Sequence, residues 1–298
     1  MVNVLRASVP LAALAACSFS YCVYRRLAPT TSLDIITIST IPQSLAESRT
    51  NKIIVNPHNY IHSDDTREVR LSLDRSLPDE QILARFMKGF FGGWIFAPER
   101  AAMRIARMQL VQVAALGDLP SSERVWSNRE ISREKLPQLG TVYFGAFRVA
   151  DKLLQERHNL KHRDGKGHGM TPEDDGIDIQ DRESYIDFVF GSDEGMLRGV
   201  HRFSVLHGLC QADESSQDVI IRFSHTSCNP GKNEPLNRVL AALHLAYATL
   251  LFRDGVAEVL KQGQHGTSLM RTATMYENIC LQHALSLGAK VAVWPFCN

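Results

Sequence analysis

Residues 184–260 read SYIDFVFGSDEGMLRGVHRFSVLHGLCQADESSQDVIIRFSHTSCNPGKNEPLNRVLAALHLAYATLLFRDGVAEVL. Residues 185–192, 199–208 and 219–226 alternate at a period of two, which predicts three β-strands. Short turn-like segments connect them, and short connections favour an antiparallel meander. Apolar residues then recur three and four apart over residues 233–260, which predicts one long helix. The stretch therefore predicts an α+β fold, a curved antiparallel sheet packed on a long C-terminal helix.

The two faces of each predicted strand differ in polarity. Three histidines, His201, His207 and His225, fall on the faces that also carry the apolar residues. The opposite faces are more polar, and a sheet packed on one side leaves such a face in water. The residues that we therefore predict to be solvated are Tyr185, Asp187, Arg202, Ser204, Arg222 and Ser224.

A sheet wrapped on a C-terminal helix, the helix-grip shape, often leaves a ligand cavity between its two layers. We predict that Phe188, Phe190, Phe203, Phe223, His244 and Tyr247 bind a hydrophobic small molecule there. His201, His207 and His225 are the predicted catalytic residues, because histidine exchanges protons near neutral pH. The alternative is that these histidines are neutral core residues with backbone or hydroxyl partners.

Three segments carry a resemblance to a known family: FGSDEGMLRGVHRFSV (residues 190–205), VIIRFSHTS (219–227) and LHLAYATLLFRDGVAEV (243–259). They resemble the uncharacterised α+β domain-of-unknown-function family 1990, over about a third of the chain. The family has Gly-Glu-Glu-Arg-Phe where this chain has Gly199-Val200-His201-Arg202-Phe203. The resemblance implies an architecture and no particular chemistry.

Composition and motifs exclude several classes of function. The formal net charge is +1, so no overall field favours nucleic acid as a partner. None of the six cysteines has the spacing of a zinc motif, and no phosphate-binding or dinucleotide-binding fingerprint is present. The sequence therefore predicts no metal and no cofactor.

The N-terminus carries an uncharged run at residues 7–24, followed by Arg25 and Arg26. A helix of this length spans about 27 Å, against a hydrocarbon core of about 30 Å. We interpret residues 1–27 as a single-pass membrane anchor, with a cleaved signal peptide and a mitochondrial presequence as alternatives. The positive charges on the C-terminal side predict that the body faces the cytosol.

The rest of the chain divides into a linker (residues 28–65) and an α+β body (66–298) with a charged, mobile loop at 158–182. Five aromatic residues between Phe86 and Phe96 either form a helix–helix core around a glycine elbow or lie on the membrane. The leading hypothesis is a membrane-anchored protein that binds a hydrophobic small molecule and processes it by acid–base chemistry, as in natural-product or lipid biosynthesis. A non-catalytic lipid or ligand carrier and a structural membrane protein that recruits a partner are the alternatives.

Overall fold

The computed structural model describes residues 16–74, 76–117, 119, 123–155, 183–207, 216–235 and 238–261. Residues 16–27 form helix α1. The other α-helices are α2 (Gln43–Ala46), α3 (Asp79–Gly92), α4 (Ala97–Ala106) and α5 (Arg238–Leu260). The strands are β1 (Ile36–Ile38), β2 (His62–Asp74), β3 (Arg124–Val125), β4 (Val142–Tyr143), β5 (Phe147–Leu153), β6 (Glu183–Gly191), β7 (Arg198–His207) and β8 (Ser216–Cys228). Short 3-10 helices at Ala28–Thr30, Ala114–Leu116 and Asn128–Glu130, and one π-helix at Thr50–Val55, complete the described elements.

One mixed sheet contains the eight described strands in the order β1-β2-β8-β7-β6-β5-β4-β3. The α+β class is confirmed. Strands β6, β7 and β8 form the predicted antiparallel meander, and β2 pairs with β8 along its whole length. The only parallel pair among the described strands is β3 with β4. The sheet is thus larger than the predicted three-stranded meander, which forms its middle.

The core lies between the sheet and the helices α3 and α5. Phe86, Phe90 and Phe91 of α3 are buried against Phe203 of β7, with ring centroids 4.8–5.7 Å apart. Each buried phenylalanine contributes about 1.5–3 kcal/mol of hydrophobic free energy. Of the two interpretations of the aromatic block, burial in a core is therefore the one found for these three residues and for Phe96. The core is formed mainly with strands of the sheet, however, and not between two helices alone.

Part of the opposite face of the sheet is also buried, so the prediction that it is solvated is wrong for four of the six residues. Tyr185 and Arg222, the other two, are partly exposed. Asp187, Arg202, Ser204 and Ser224 are each at most 1% exposed. The chain before β2 covers this face: Ser44 donates to Glu183, and Arg198 donates to the carbonyl of Val55. Residues 28–65, predicted to be a linker, thus form part of the body and include β1, α2 and the start of β2.

The described part of the N-terminal segment contacts α5. Within the described residues, which begin at 16, no helix is long and apolar enough to cross a membrane. Arg26, predicted as a flanking charge, has a side chain only 8% exposed, and it pairs with Asp254 at 2.5 Å and with Glu258 at 2.7 Å. Residues 1–15, the predicted loop at 158–182 and residues 262–298 lie outside the described residues.

Candidate functional site

Three histidines meet where the sheet reaches the first half of α5. His225 of β8 lies directly opposite His201 of β7 in the antiparallel register, so both rings project from the same face of the sheet. His244 comes from α5, which passes over that face. The three rings are close: centroids are 5.0 Å apart for His201 and His225, 4.5 Å for His225 and His244, and 6.5 Å for His201 and His244.

The ring nitrogens of this three-histidine centre lie close together. One nitrogen from each ring can be chosen such that all three lie within 4.8 Å of one another. Within the described residues this is the only group of three or more histidine, cysteine or carboxylate side chains with such spacing. The centre is therefore set apart by geometry as well as by composition.

Several ring nitrogens of the three-histidine centre have no hydrogen-bond partner among the described residues. Both ring nitrogens of buried His201, Nδ1 of His225 and Nε2 of His244 are shielded from solvent and have no hydrogen-bond partner among the described residues. His225 has one hydrogen bond among the described residues, between its Nε2 and the hydroxyl of Ser227 at 3.0 Å. Leaving a buried polar atom unpaired costs about 1–3 kcal/mol. The alternative that His201 is a satisfied core histidine does not hold within this part of the chain.

Aromatic rings surround the three histidines. Phe190 of β6 stacks on His225 at 5.6 Å and lies 4.6 Å from His201, while Phe147 of β5 stacks on His201 at 5.6 Å. Phe147, Phe190 and His244 are only partly buried. The centre therefore has an apolar wall and is nearest to solvent on the side of these three residues.

Burial keeps the histidines neutral. It lowers the pKa of His201 and His225 well below the usual value, and the neighbouring His244 and Arg67 act in the same direction. Burial also lowers the pKa of His244, although Asp65 partly opposes this. Neutral imidazoles keep a lone pair free, so these rings can accept a hydrogen bond or coordinate an ion.

A buried ion pair on β2 lies beside the centre, and the sequence analysis missed it. Asp65 is opposite His225 in the register and binds the guanidinium of Arg67. Arg67 also donates to the hydroxyl of Thr249 at 3.0 Å and to the carbonyl of Leu245 at 2.7 Å, so it ties β2 to α5. Asp65 was assigned to the predicted linker, because the body was predicted to begin at residue 66. The alternating pattern of the residues that follow Asp65 could have indicated that it belongs to the same strand.

Comparisons with known proteins give no family for the chain. No model of a known protein family matches it, and no curated protein matches it either. The resemblance of residues 190–259 to domain-of-unknown-function family 1990 stays a prediction.

The predicted catalytic residues separate into two places. His201 and His225 belong to the centre, whereas His207 lies six residues further along β7, about 20 Å away at the rise of a strand. His207 Nε2 lies 2.8 Å from a carboxylate oxygen of Asp79, the first residue of α3. His207 thus contacts the start of a helix, and His244 occupies the third position in the centre.

The predicted ligand-binding residues also separate. Phe188, Phe203 and Phe223 are fully buried against the phenylalanines of α3. Phe190 and His244 are at the centre, and Tyr247 lies one helical turn beyond His244, where its hydroxyl is 3.4 Å from the carbonyl of Ile95. A role in ligand binding stays a prediction for all six, and the geometry favours it for Phe190 and His244.

Tyr247 faces a carboxyl group that gives stability a distinct pH dependence. Burial raises the pKa of Glu99 to about 7, although a hydrogen bond with Tyr247 acts against this. The folded state thus holds a proton that the unfolded state has lost between about pH 4.5 and 7, so this group makes the free energy of unfolding fall as pH rises. We expect Glu99→Gln to remove this fall, which amounts to at most about 3 kcal/mol.

The measurement is urea unfolding of Glu99→Gln and of the natural chain at several values between pH 5 and 8. Burial depresses the pKa of His201 and His225, so they act in the opposite sense below pH 6.5. For this reason the difference between the two proteins is the relevant quantity. A difference that does not change with pH would contradict the expectation.

Proposed function

We propose that the chain binds a small, mainly apolar molecule at the three-histidine centre and that His201, His225 and His244 act on it chemically. One observation carries the proposal: the three histidines have buried ring nitrogens without a hydrogen-bond partner among the described residues, and phenylalanine rings lie against them. A few convergent polar groups in an apolar surround are typical of a ligand site. A polar group of the ligand would satisfy the nitrogens, and its apolar body would contact Phe147 and Phe190.

The position of the ligand follows from what fills the rest of the molecule. In the helix-grip shape that we propose for the body, a ligand lies between the sheet and the C-terminal helix. Here the rings of Phe86, Phe90 and Phe91 occupy the middle of that space. The place that supports a ligand is therefore the end of the sheet–helix layer, where Phe190 and His244 are partly exposed.

Membrane attachment is the second element of the proposal. It rests on the uncharged run at residues 7–24, of which only the last part is described. In α1, Tyr21 and Tyr24 are 60% and 68% exposed. Aromatic residues of this kind are enriched where a protein meets the membrane–water interface. A membrane would also be the natural source of an apolar ligand.

Mass spectrometry of small molecules extracted from the purified full-length chain tests the proposal. We expect an apolar compound that is enriched with the natural chain and depleted at least about tenfold in Phe190→Ala, because the wall contact contributes more than 1.4 kcal/mol. The control is His207→Ala, because His207 lies on β7 with His201 but outside the centre. Equal amounts in all three proteins would refute the proposal.

Returning the purified compound to the protein distinguishes an enzyme from a carrier. We expect the natural chain to convert it and His201→Ala to bind it without conversion. Binding with no conversion by the natural chain would favour the carrier. The three histidines would then serve recognition alone.

A further inference from the structure

We infer that His201, His225 and His244 together bind one divalent transition-metal ion. This inference deepens the proposed function because it concerns the same three side chains. Two independent observations support it: the three ligand atoms lie within 4.8 Å of one another, and His201, 6% exposed, has no partner for either ring nitrogen in the described part of the chain.

The geometry is compatible with a tetrahedral ion. Zinc bound by imidazole has metal–nitrogen distances of about 2.0–2.1 Å, which places tetrahedral ligand nitrogens about 3.4 Å apart. The rings must therefore turn inward by about an ångström. Rotation of the His244 side chain is the easiest of these adjustments, because His244 is partly exposed.

The donor set determines the class of metal. Three imidazole nitrogens suit zinc, copper, iron or nickel, whereas magnesium and calcium prefer oxygen ligands.

The residues around the centre fit a positive ion in part. Ser227 binds Nε2 of His225 and so orients this ring, which leaves Nδ1 for the metal. The charge of Arg67 opposes a cation, but Asp65 offsets it through their ion pair. The three histidines supply three of the four ligands of a tetrahedral ion. The fourth coordination position is therefore left for water or for a polar group of the ligand.

Such an ion would explain how neutral histidines act on a ligand. A metal ion with an open position polarises a bound carbonyl or lowers the pKa of a bound water. The chain's own residues would then fix the ion and exclude bulk water with Phe147 and Phe190. The inference predicts a site that sequence spacing hides, because the three histidines are 24 and 19 residues apart.

Calorimetric titration with zinc tests the inference. The full-length chain is first stripped of metal with a chelator. We expect one zinc ion per chain in the natural protein and an affinity lower by about 100-fold or more in His244→Ala. His207→Ala should bind zinc as the natural chain does. Because His244 is partly exposed, His244→Ala is the variant best suited to keep the fold, and circular dichroism confirms that.

His244→Ala also distinguishes zinc bound at the three-histidine centre from zinc bound elsewhere in the chain. His158, His162 and His168 lie outside the described residues, and zinc held there would bind His244→Ala unchanged. Equal affinity in the natural chain and His244→Ala, or no stoichiometric zinc in the natural chain, overturns the inference. A thermal shift supplies a second readout: zinc should raise the melting temperature of the natural chain and of His207→Ala, and not that of His244→Ala.

Failure of the metal inference and failure of the proposed function give different results. If zinc does not bind but the apolar compound is still lost in Phe190→Ala, the proposed function stands without a metal. If zinc binds at the three histidines and no compound is retained, the metal site stands and the ligand proposal falls.

Discussion

Arg202→Met is expected to lower the free energy of unfolding by about 3–5 kcal/mol, because it leaves the carboxylate of Asp187 buried without its partner. The two residues face each other across β6 and β7. Nε and Nη2 of Arg202 each donate to one oxygen of Asp187 at 2.7 Å. Arg202 also stacks on the ring of Tyr185 at 3.8 Å, so the substitution removes a cation–π contact as well.

Chemical denaturation followed by circular dichroism measures this loss. Arg222→Met is the matched control, since Arg222 is bonded to Glu68 at 2.6 Å but both side chains are 17% exposed. We expect a smaller loss than for Arg202→Met, because water reaches the side chains of both Arg222 and Glu68. The double variant Asp187→Leu with Arg202→Met should recover most of the stability, because no lone charge remains. Arg202→Met and Arg222→Met with equal costs would show that the pair is not buried as described.

Gly89→Ala is the second substitution with a large expected effect, because helices α3 and α5 cross at this position. A Cβ at Gly89 would lie 2.7 Å from the Cα of Gly255 and 2.9 Å from Cβ of Glu258, and it would also collide with the carbonyl oxygen of Asp254. Two of these atoms are backbone, so the helices must separate. We expect a loss of about 2–3 kcal/mol in the free energy of unfolding.

Gly92→Ala is the control on the same helix. Its added Cβ would lie no closer than 3.4 Å to any atom, and alanine is the better helix former by up to about 1 kcal/mol. Thermal unfolding should therefore show a lower melting temperature for Gly89→Ala and an unchanged or higher one for Gly92→Ala. The same direction for both variants would contradict the close crossing of α3 and α5.

The central strands could be predicted from sequence because their apolar and polar side chains alternate at a period of two, which is typical of a β-strand. Strand β7 places His201 and Phe203 on the core side as expected, and the alternating residues Val69, Leu71 and Leu73 of β2 are also buried. Strands β4 and β5 form a hairpin. Its turn uses Phe144 at φ 53°, a conformation that a phenylalanine seldom adopts and that sequence patterns do not indicate.

The burial of the second face could not be predicted, because it depends on a segment without a clear pattern. Residues 28–60 are rich in threonine, serine and proline, which is typical of a linker. Some of their contacts with the sheet are polar, such as that of Thr66 with the carbonyl of Thr40 at 2.7 Å. Others are apolar, since Leu45, Ile54 and Val55 are buried in one cluster with Val189 and Val200. These three apolar residues do not recur at the period of a helix or a strand, so the sequence did not indicate that they cover this face.

The centre was only partly predictable for a related reason. Strand alternation placed His201 and His225 on one face, but the same alternation also included His207. The register of β7 against β8 and the path of α5 decide which histidines meet. Arg26 is a similar case, because its pairing with Asp254 and Glu258 depends on how α1 lies against α5.

X-ray absorption at the zinc edge, recorded on the zinc-loaded full-length chain, tests the three-histidine centre most directly. The expected spectrum has nitrogen or oxygen neighbours at about 2.0–2.1 Å, with multiple scattering from three imidazole rings. In His244→Ala the contribution of one ring should be lost. A zinc ion surrounded by sulfur, or by fewer than three imidazoles in the natural chain, would contradict the centre.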